Sequence, residues 1–158
     1  MIRIGQGFDV HRVDAGDGMI LGGLWVPCAY RVVAHSDGDI VLHAIMDAML
    51  GALALGDIGQ LFPDTDASFQ GADSAELTRE VRRLCLAKGY SVSNLDVTIL
   101  CEVPKIAPIR ETMRQCIADV LETVVDQISV KATTTEQLGF IGRGEGIAVM
   151  ASVLMRAH

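Results

Sequence analysis

Hydrophobic residues recur at every second position in some segments of the chain and at every third or fourth position in others. The first spacing is typical of strands and the second of helices, and their order along the chain predicts an α+β fold. Alternating or continuous apolar runs predict four main strands, at residues 2–11, 92–102, 127–132 and 147–155. Two shorter runs, at 19–21 and 24–26, flank Gly22-Gly23 and predict a small hairpin that ends at Pro27.

Helical spacing predicts three helices. They cover residues 37–54, residues from a capping box at 73–76 to Lys88-Gly89, and residues from Pro108 to about Thr123. Residues 56–71 are predicted as a polar loop, 133–138 as a short helical turn and 139–146 as a glycine-rich loop. We expect one α+β domain over residues 1–158, with about four main strands, helices on one face of the sheet and a small hairpin.

The last predicted strand, 147–155, is apolar on both faces apart from Ser152. Such a strand is buried on both faces, but a single layer of three helices covers only one face of a sheet. We therefore expect a second subunit to cover the other face. The alternative is that the hairpin covers it.

Composition and charge narrow the classes of function. Hydrophobic residues make up 50% of the chain, which is typical of a folded protein. Residues 1–73 contain ten Asp, no Glu and three Arg, whereas the remainder is balanced, so the formal charge of −7 arises in the first half. Such a chain is not expected to bind nucleic acid or an anionic membrane. Short carboxylates beside three of the four histidines indicate a cation site.

The cysteines and the N-terminal segment indicate the cellular compartment in which the protein is expected. Cys28, Cys85, Cys101 and Cys116 form no CxxC pair, so we expect free, mostly buried thiols in a reducing compartment. The first residues contain no uninterrupted apolar segment, so a signal peptide is not expected, and no apolar run approaches the ~18 residues that a membrane span needs. The expected location is the cytoplasm.

Asp9, His11 and His43 could form a metal site. Asp9 and His11 lie two apart on a strand and therefore share a face. Asp39, His43 and Asp47 follow at intervals of four on the first helix and make a polar stripe on an apolar cylinder. One carboxylate and two imidazoles leave a coordination position open on zinc, and they equally suit Fe(II). We expect Asp39 or Asp47 to orient His43, although each histidine alone could be a hydrogen-bonded core residue.

Two further segments suit phosphate groups. His35 and Ser36 precede the first helix, where free N–H groups favour anions, but Ser36 or Asp37 could simply cap that helix. Thr133 to Glu136 follow a strand and offer hydroxyls and N–H groups, but Thr133 and Glu136 also have the spacing of a capping box.

The order of these motifs is more specific than any one of them. Along the chain they are Gly7-Phe8-Asp9-Val10-His11, Ala34-His35-Ser36-Asp37-Gly38-Asp39, Leu55-Gly56-Asp57-Ile58-Gly59, Phe62-Pro63-Asp64-Thr65-Asp66, Pro104-Lys105, Lys131-Ala132-Thr133-Thr134-Thr135-Glu136 and Gly142-Arg143-Gly144-Glu145-Gly146. From residue 3 to about 155 the sequence closely resembles the 2-C-methyl-D-erythritol 2,4-cyclodiphosphate synthase family of the non-mevalonate route to isoprenoids.

The resemblance implies roles for individual residues. It implies zinc ligands at Asp9, His11 and His43, and catalytic groups at His35 and Thr134 that stabilise the transition state. Glu136 would hold a second divalent ion, Mg²⁺ or Mn²⁺. The implied substrate-binding residues are Asp9, Val10, His11, His35, Ser36, Asp57, Ile58, Gly59, Phe62, Pro63, Asp64, Thr65, Asp66, Cys101, Glu102, Val103, Pro104, Lys105, Ile106, Ala107, Thr133, Thr134, Thr135, Glu136, Phe140 and Arg143, with 101–107 as the cytosine pocket.

The implied activity is that of a metal-dependent phosphorus-oxygen lyase. It converts 4-diphosphocytidyl-2-C-methyl-D-erythritol 2-phosphate to 2-C-methyl-D-erythritol 2,4-cyclodiphosphate and releases CMP. The 2-phosphate is the nucleophile, which agrees with the absence of an activated Ser or Cys motif. At 158 residues we expect the form without a fused nucleotidyltransferase.

The resemblance also implies a homotrimer with active sites between subunits. Its sheets would face a central channel, where an isoprenoid diphosphate could bind with its anion on Arg143. Two alternatives stay open: another metalloenzyme with two histidines and one carboxylate, such as an Fe(II) oxygenase, and a nucleotide-binding module without catalysis. The metal identity and an assay for CMP release distinguish them.

Overall fold

A computed structural model describes all residues, 1–158, and its largest element is a five-stranded sheet. The strands are β1 (Ile2–Ala15), β2 (Gly18–Leu21), β3 (Leu24–Pro27), β4 (Tyr30–Val33), β5 (Tyr90–Leu100), β6 (Ile128–Thr133) and β7 (Gly146–Ala157). The helices are α1 (Ile40–Ala52), α2 (Ile58–Leu61), α3 (Ser74–Ala87), α4 (Arg110–Leu121) and α5 (Gly139–Gly142). Single 3₁₀ turns lie at Ala67–Phe69, Ala107–Ile109 and Val125–Gln127.

The sheet order is β4-β1-β7-β5-β6, and β2 and β3 form a separate hairpin. Only β5 and β6 run parallel, because α4 carries the chain back between them. The register aligns Val10 of β1 with Ala148 of β7, Ala148 with Leu100 of β5, and Leu100 with Thr133 of β6. One end of the sheet therefore carries four of the predicted motifs side by side.

Helix α1 lies unusually close to β1. A Cβ added at Gly5 would lie 1.9 Å from the carbonyl oxygen of Ala48, and one added at Gly7 would lie 1.9 Å from that of Ala44. Glycines on the strand and alanines on the helix thus let the two backbones meet. Helix α1 is buried nearly all round, as its apolar pattern predicts.

The three long helices pack on one face of the sheet and leave the other face exposed. On β7 the inward residues Ile147, Val149 and Val153 are buried, whereas Met150 on the opposite face is exposed. The large apolar side chains exposed on that face of β1 and β7 are Ile2, Ile4, Phe8, Val10 and Met150. We call this set the open face.

The hairpin does not cover the open face. A Cβ at Gly22 would lie 2.9 Å from Met113 and 3.2 Å from Ile117, both on α4. The carboxylate of Asp39 also accepts hydrogen bonds from the Gly22 and Gly23 amides, at 2.8 and 2.7 Å. The hairpin therefore belongs to the helix side, and this alternative for covering the second face of β7 is wrong.

The prediction of a mixed fold with helices on one face of the sheet and a hairpin is confirmed, with corrections. The sheet has five strands, because β4 is a four-residue edge strand with too short a pattern to detect. The first helix begins at residue 40, because Asp39 caps it. The polar loop at 56–71 contains α2 and a 3₁₀ turn, and the glycine-rich loop contains α5.

The predicted helical turn at 133–138 is wrong. Glu136 and Gln137 have positive φ angles of 55° and 62°, which no right-handed helix contains. The hydroxyl of Thr133 donates to the carbonyl of Thr134, so it caps nothing at Glu136. Because there is no helix here, Glu136 does not close a capping box.

No helix in the chain has the length and apolarity to cross a bilayer.

Replacing Gly7 by Ala should destabilise the protein strongly. The new Cβ meets backbone atoms of α1 at 1.9 Å, so the helix must move away from the strand. We expect the free energy of unfolding to fall by about 3 kcal/mol or more, which is the upper end of the range for substitutions that overpack a core. Urea denaturation measures this change.

Gly51→Ala is the matched control in the same helix. Its Cβ would have only the Gln6 carbonyl within 4 Å, at 3.9 Å. Because Ala favours a helix over Gly, this change should stabilise the protein by about 0.5–1 kcal/mol. A Gly7→Ala variant as stable as the wild type would contradict the close packing of α1 on β1.

Candidate metal centre and active-site cleft

Asp9, His11 and His43 converge at the edge of the helix layer. Adjacent positions of one strand face supply Asp9 and His11, and α1 supplies His43. The Asp9 Oδ2 lies 2.9 Å from His11 Nε2 and 3.2 Å from His43 Nδ1, and the two ring nitrogens are 3.3 Å apart. Three donor atoms at these distances can surround one divalent ion.

The electrostatics of this group favour a cation. Burial raises the pKa of Asp9, but the imidazoles of His11 and His43 beside its carboxylate lower the pKa by more and hold it at about 2. Asp9 is therefore a carboxylate at any physiological pH. The residues fit a divalent metal, since an anionic oxygen and two imidazole nitrogens form a common ligand set.

The second ring nitrogen of His43, Nε2, lies within hydrogen-bond distance of two serine hydroxyls on the side away from Asp9 and His11. This atom lies 3.0 Å from the hydroxyl of Ser74, a fully buried residue at the start of α3, and 3.2 Å from that of Ser36. From the sequence alone, Ser74 is only one position of the capping box that begins α3. No local pattern in the sequence could predict its contact with His43, because the two residues are 31 positions apart.

The expected supports from Asp39 and Asp47 are absent. Asp39 accepts hydrogen bonds from the amides of Gly22, Gly23 and Leu42, and so joins α1 to the hairpin. Asp47 accepts from the amide of Ile58 at the start of α2. Neither makes a hydrogen bond to His43, so the prediction that one of them orients its ring is wrong.

The metal donors open into a cleft of about 400 Å³. The predicted site residues that line it are Asp9, Val10, His11, His35, Ser36, His43, Ile58, Gly59, Phe62 and Asp64. Phe62 packs edge-on against Phe69, with ring centroids 5.3 Å apart, and forms part of the apolar wall. Asp57 lies outside the lining, where its carboxylate caps α2 by accepting from the Gln60 amide. Pro63, Thr65 and Asp66 also lie outside it.

A second group of predicted residues lies at the opposite edge of the sheet. Residues 101–107 follow β5, residues 133–136 follow β6, and the Cys101 amide donates to the Thr133 carbonyl. The carboxylate of Glu102 accepts from the amides of Thr135 and Gln137, at 3.2 and 3.1 Å, and organises the turn. We call residues 101–107 and 133–136 the second cluster.

The second cluster does not reach the cleft within one chain. None of its residues lines the cleft. In the sheet order β5 lies two strands from β1 and β6 lies three, so at about 4.8 Å per strand the two groups are roughly 10 to 14 Å apart. One chain thus carries two separate groups of predicted site residues at the same end of its sheet, and we call these groups the half-sites.

Phe140 and Arg143 occupy α5 and the residue after it, immediately before β7. Phe140 is 40% exposed, and Arg143 pairs with Glu145 at 3.1 Å on the surface. The amide of Val13 donates to the Glu145 carbonyl, so this turn lies beside the end of β1. Both residues border the same end of the sheet as the cleft, but neither lines it.

Comparison with known proteins agrees with this arrangement. A sequence model of the YgbB family matches residues 2–156. The chain belongs to this family. It is 62% identical over 158 residues to 2-C-methyl-D-erythritol 2,4-cyclodiphosphate synthase of Shewanella baltica, a match that covers 99% of this chain and 98% of that relative.

Solved structures of similar proteins superpose closely on this YgbB-family chain. The IspF–CDP complex of Plasmodium falciparum superposes with a TM-score of 0.88 at 40% identity, covering 99% of this chain and 96% of that one. The bifunctional IspDF of Campylobacter jejuni gives a TM-score of 0.96 at 41% identity. That match covers 100% of this chain, which spans 43% of the length of the bifunctional protein.

His43→Ala should remove metal from the site. Two of the three donors remain, and a carboxylate with a single imidazole holds a divalent ion much more weakly. We expect a large loss of bound metal, measured by elemental analysis after dialysis, together with a severe loss of turnover.

His35→Ala is the matched control, since it removes a cleft imidazole that lies outside the metal triad. It should keep its metal. Circular dichroism on both variants excludes unfolding as the cause. A His43→Ala protein with full metal stoichiometry would show that His43 is not a ligand.

Proposed function

We propose that this YgbB-family chain is a 2-C-methyl-D-erythritol 2,4-cyclodiphosphate synthase. It converts 4-diphosphocytidyl-2-C-methyl-D-erythritol 2-phosphate to the cyclic diphosphate and CMP, as a phosphorus-oxygen lyase of isoprenoid biosynthesis in the cytoplasm. The observation that carries the proposal is the convergence of Asp9, His11 and His43 on one point of a cleft that His35 and Ser36 also line. The catalytic domain is the whole segment 1–158.

The metal at the triad is proposed to be zinc. Asp9, His11 and His43 would hold it, and their donor types and spacing match a zinc site with an open position. Zinc bound there supplies positive charge at a phosphoryl oxygen.

The chain's own residues position the substrate. An oxygen of the 2-phosphate forms a bond to the β-phosphorus, the bond from that phosphorus to the bridging oxygen breaks, and CMP carries away the electron pair. The nucleophile is already ionised, so no side chain needs to remove a proton. His35 and Ser36 would bind the phosphates, and His35 and Thr134 would stabilise the charge that develops in the transition state.

Glu136 would hold a second divalent ion, Mg²⁺ or Mn²⁺, at the diphosphate. Its carboxylate is exposed, lies on a turn with positive φ, and is free of ion pairs within the chain. A free carboxylate on a constrained turn suits a hard cation. The neighbouring hydroxyls of Thr133, Thr134 and Thr135 would contact the phosphates.

The cytidine end of the substrate would bind at residues 101–107. Cys101, Pro104 and Ile106 are buried, and Glu102 organises the adjacent turn, so this segment offers a formed backbone surface for a base. The erythritol portion would contact segments 57–59 and 62–66, whose residues Ile58, Gly59, Phe62 and Asp64 line the cleft. Phe140 and Arg143 would border the site.

A homotrimer would unite the two half-sites. Because roughly 10 to 14 Å separates the cleft from the second cluster in one chain, a compact substrate would contact the cleft of one subunit and the second cluster of its neighbour. The open face supplies the apolar surface for such an assembly. In a trimer these faces would surround a channel, in which an isoprenoid diphosphate could bind with its anion at Arg143.

Release of CMP from the diphosphocytidyl substrate tests the proposed function. We expect zinc-loaded protein with added Mg²⁺ to release CMP and the cyclic diphosphate in equal amounts, followed by phosphorus NMR and chromatography. Metal-stripped protein should be inactive and should recover with zinc. Purified protein that releases no CMP, or that contains iron and is active only with iron, would overturn the proposal.

Glu136→Gln should raise the Mg²⁺ requirement without affecting the fold. The side chain caps no helix, so stability should change by less than about 0.5 kcal/mol, as for other surface substitutions. Loss of the charge removes the oxygen ligand that a hard cation prefers. We expect bound zinc to be unchanged and half-maximal activity to need much more Mg²⁺ or Mn²⁺.

The measurement is activity against added Mg²⁺, with a thermal melt of each protein. Glu145→Gln is a matched control, because this exposed carboxylate pairs with Arg143 and has no proposed metal. A Glu136→Gln protein with an unshifted titration and wild-type turnover would show that Glu136 holds no ion.

Ile4→Lys should weaken or abolish the trimer. Ile4 is 76% exposed on the open face, so the substitution is tolerated in a single chain but places a charge in the proposed interface. Val124→Lys is the control, because Val124 is 62% exposed after α4 and lies away from that face. Sedimentation should give a trimer for the wild type and the control. A monomeric wild type at micromolar concentration would contradict both the trimer and the channel.

A further inference from the structure

A buried hydrogen-bonded chain supports His43 on the side away from the metal donors. Asp37 lies before α1, and Ser74 is the first residue of α3. The hydroxyl of Ser74 lies 2.5 Å from Asp37 Oδ1 and 3.0 Å from His43 Nε2. Ser74 is 0% exposed, so water cannot replace these contacts.

The carboxylate of Asp37 is the acceptor in each of its hydrogen bonds. Its Oδ1 accepts from the Asp39 amide at 3.1 Å, and its Oδ2 accepts from the Ser74 amide at 2.9 Å. A carboxylate that accepts from two amides takes the hydroxyl proton of Ser74 as a third donor. Because a hydroxyl has only one proton, the Ser74 oxygen can only accept from His43.

The direction of this bond determines the tautomer of His43. With Nε2 as the donor, the neutral ring has its lone pair on Nδ1. Nδ1 is the atom that lies 3.2 Å from Asp9 and 3.3 Å from His11 Nε2, at the centre of the donor group. Ser36, at 3.2 Å from Nε2, accepts from the Gly38 amide, but no carboxylate fixes its own proton, so its hydroxyl can either accept from or donate to His43 and does not decide the tautomer.

We propose that Asp37 and Ser74 are positioning residues that hold His43 as the Nε2–H tautomer, so that Nδ1 is ready to bind the metal. This inference rests on the metal site of the proposed function. Without the chain, His43 Nδ1–H would donate to Asp9, and each binding event would first have to break that bond and move the proton.

Ser74→Ala tests the inference directly. The variant loses the hydroxyl but keeps the amide bond to Asp37 and the Asp73 cap of α3, so it should fold. We expect zinc affinity, measured by competition with a chromophoric chelator, to fall about 10- to 100-fold, as when other supports of metal ligands are removed.

Thr78→Val is the matched control. Thr78 is also 0% exposed and also on α3, and its hydroxyl donates to the Ser74 carbonyl at 2.7 Å without touching His43. Both variants remove one buried hydroxyl from the same helix. Thermal melts should show comparable destabilisation, but Thr78→Val should keep wild-type zinc affinity.

A second readout is independent of metal and of activity. Nitrogen-15 NMR of metal-free protein at alkaline pH, where imidazoles are neutral, distinguishes the two tautomers of His43. We expect Nε2–H in the wild type and in Thr78→Val, and Nδ1–H in Ser74→Ala. Asp37→Asn should shift the tautomer in the same direction, because an amide NH₂ can donate to Ser74 and release its proton towards His43.

Either of two results would overturn the inference: an Nδ1–H ring in the metal-free wild type, or a Ser74→Ala protein with wild-type zinc affinity. Failure of the proposed function is a different result. A wild type that releases no CMP would leave the tautomer and the chelator competition as measured.

Discussion

The approach of α1 to β1 is the constraint on which the rest of the structure depends. Gly5 and Gly7 leave no side chain between the strand and the carbonyls of α1, so the helix axis has one position relative to the sheet. His43 lies one residue before Ala44 on that helix, and Asp9 lies two residues after Gly7. The contact that closes the core therefore also sets the distance between the donors of the candidate metal centre, so the packing of the core and the geometry of that centre share one cause.

Two helix starts meet at the metal centre, and their capping residues have more than a local role. Asp39 caps α1 and also binds the hairpin amides. Asp37 accepts from the first amide of α3, which fixes α3 against the segment that carries His35 and Ser36. A polar group in this apolar core is costly unless it is paired, and His43 is paired on both sides of its ring.

The predicted site residues lie in two separate groups at one end of the sheet. The cleft with the metal donors lies beside β1, and the second cluster follows β5 and β6. The open face lies along β1 and β7, between the two edges. If copies assemble through this face, apolar burial stabilises the oligomer and also brings the half-sites of neighbouring copies together. Assembly and catalysis would then depend on the same surface.

The sequence by itself determined the fold class, the longer elements and the three residues of the candidate metal centre. Period-two and helical patterns are local, and Asp9, His11 and His43 stand out because polar residues interrupt apolar segments. Only the tertiary structure decided the role of Ser74, the functions of Asp39 and Asp47, the edge strand β4 and the turn at Glu136. Each of these depends on residues distant in sequence or on a short segment whose partners, and not its own pattern, determine its conformation. Separation of the half-sites likewise follows from strand order, which no local pattern encodes.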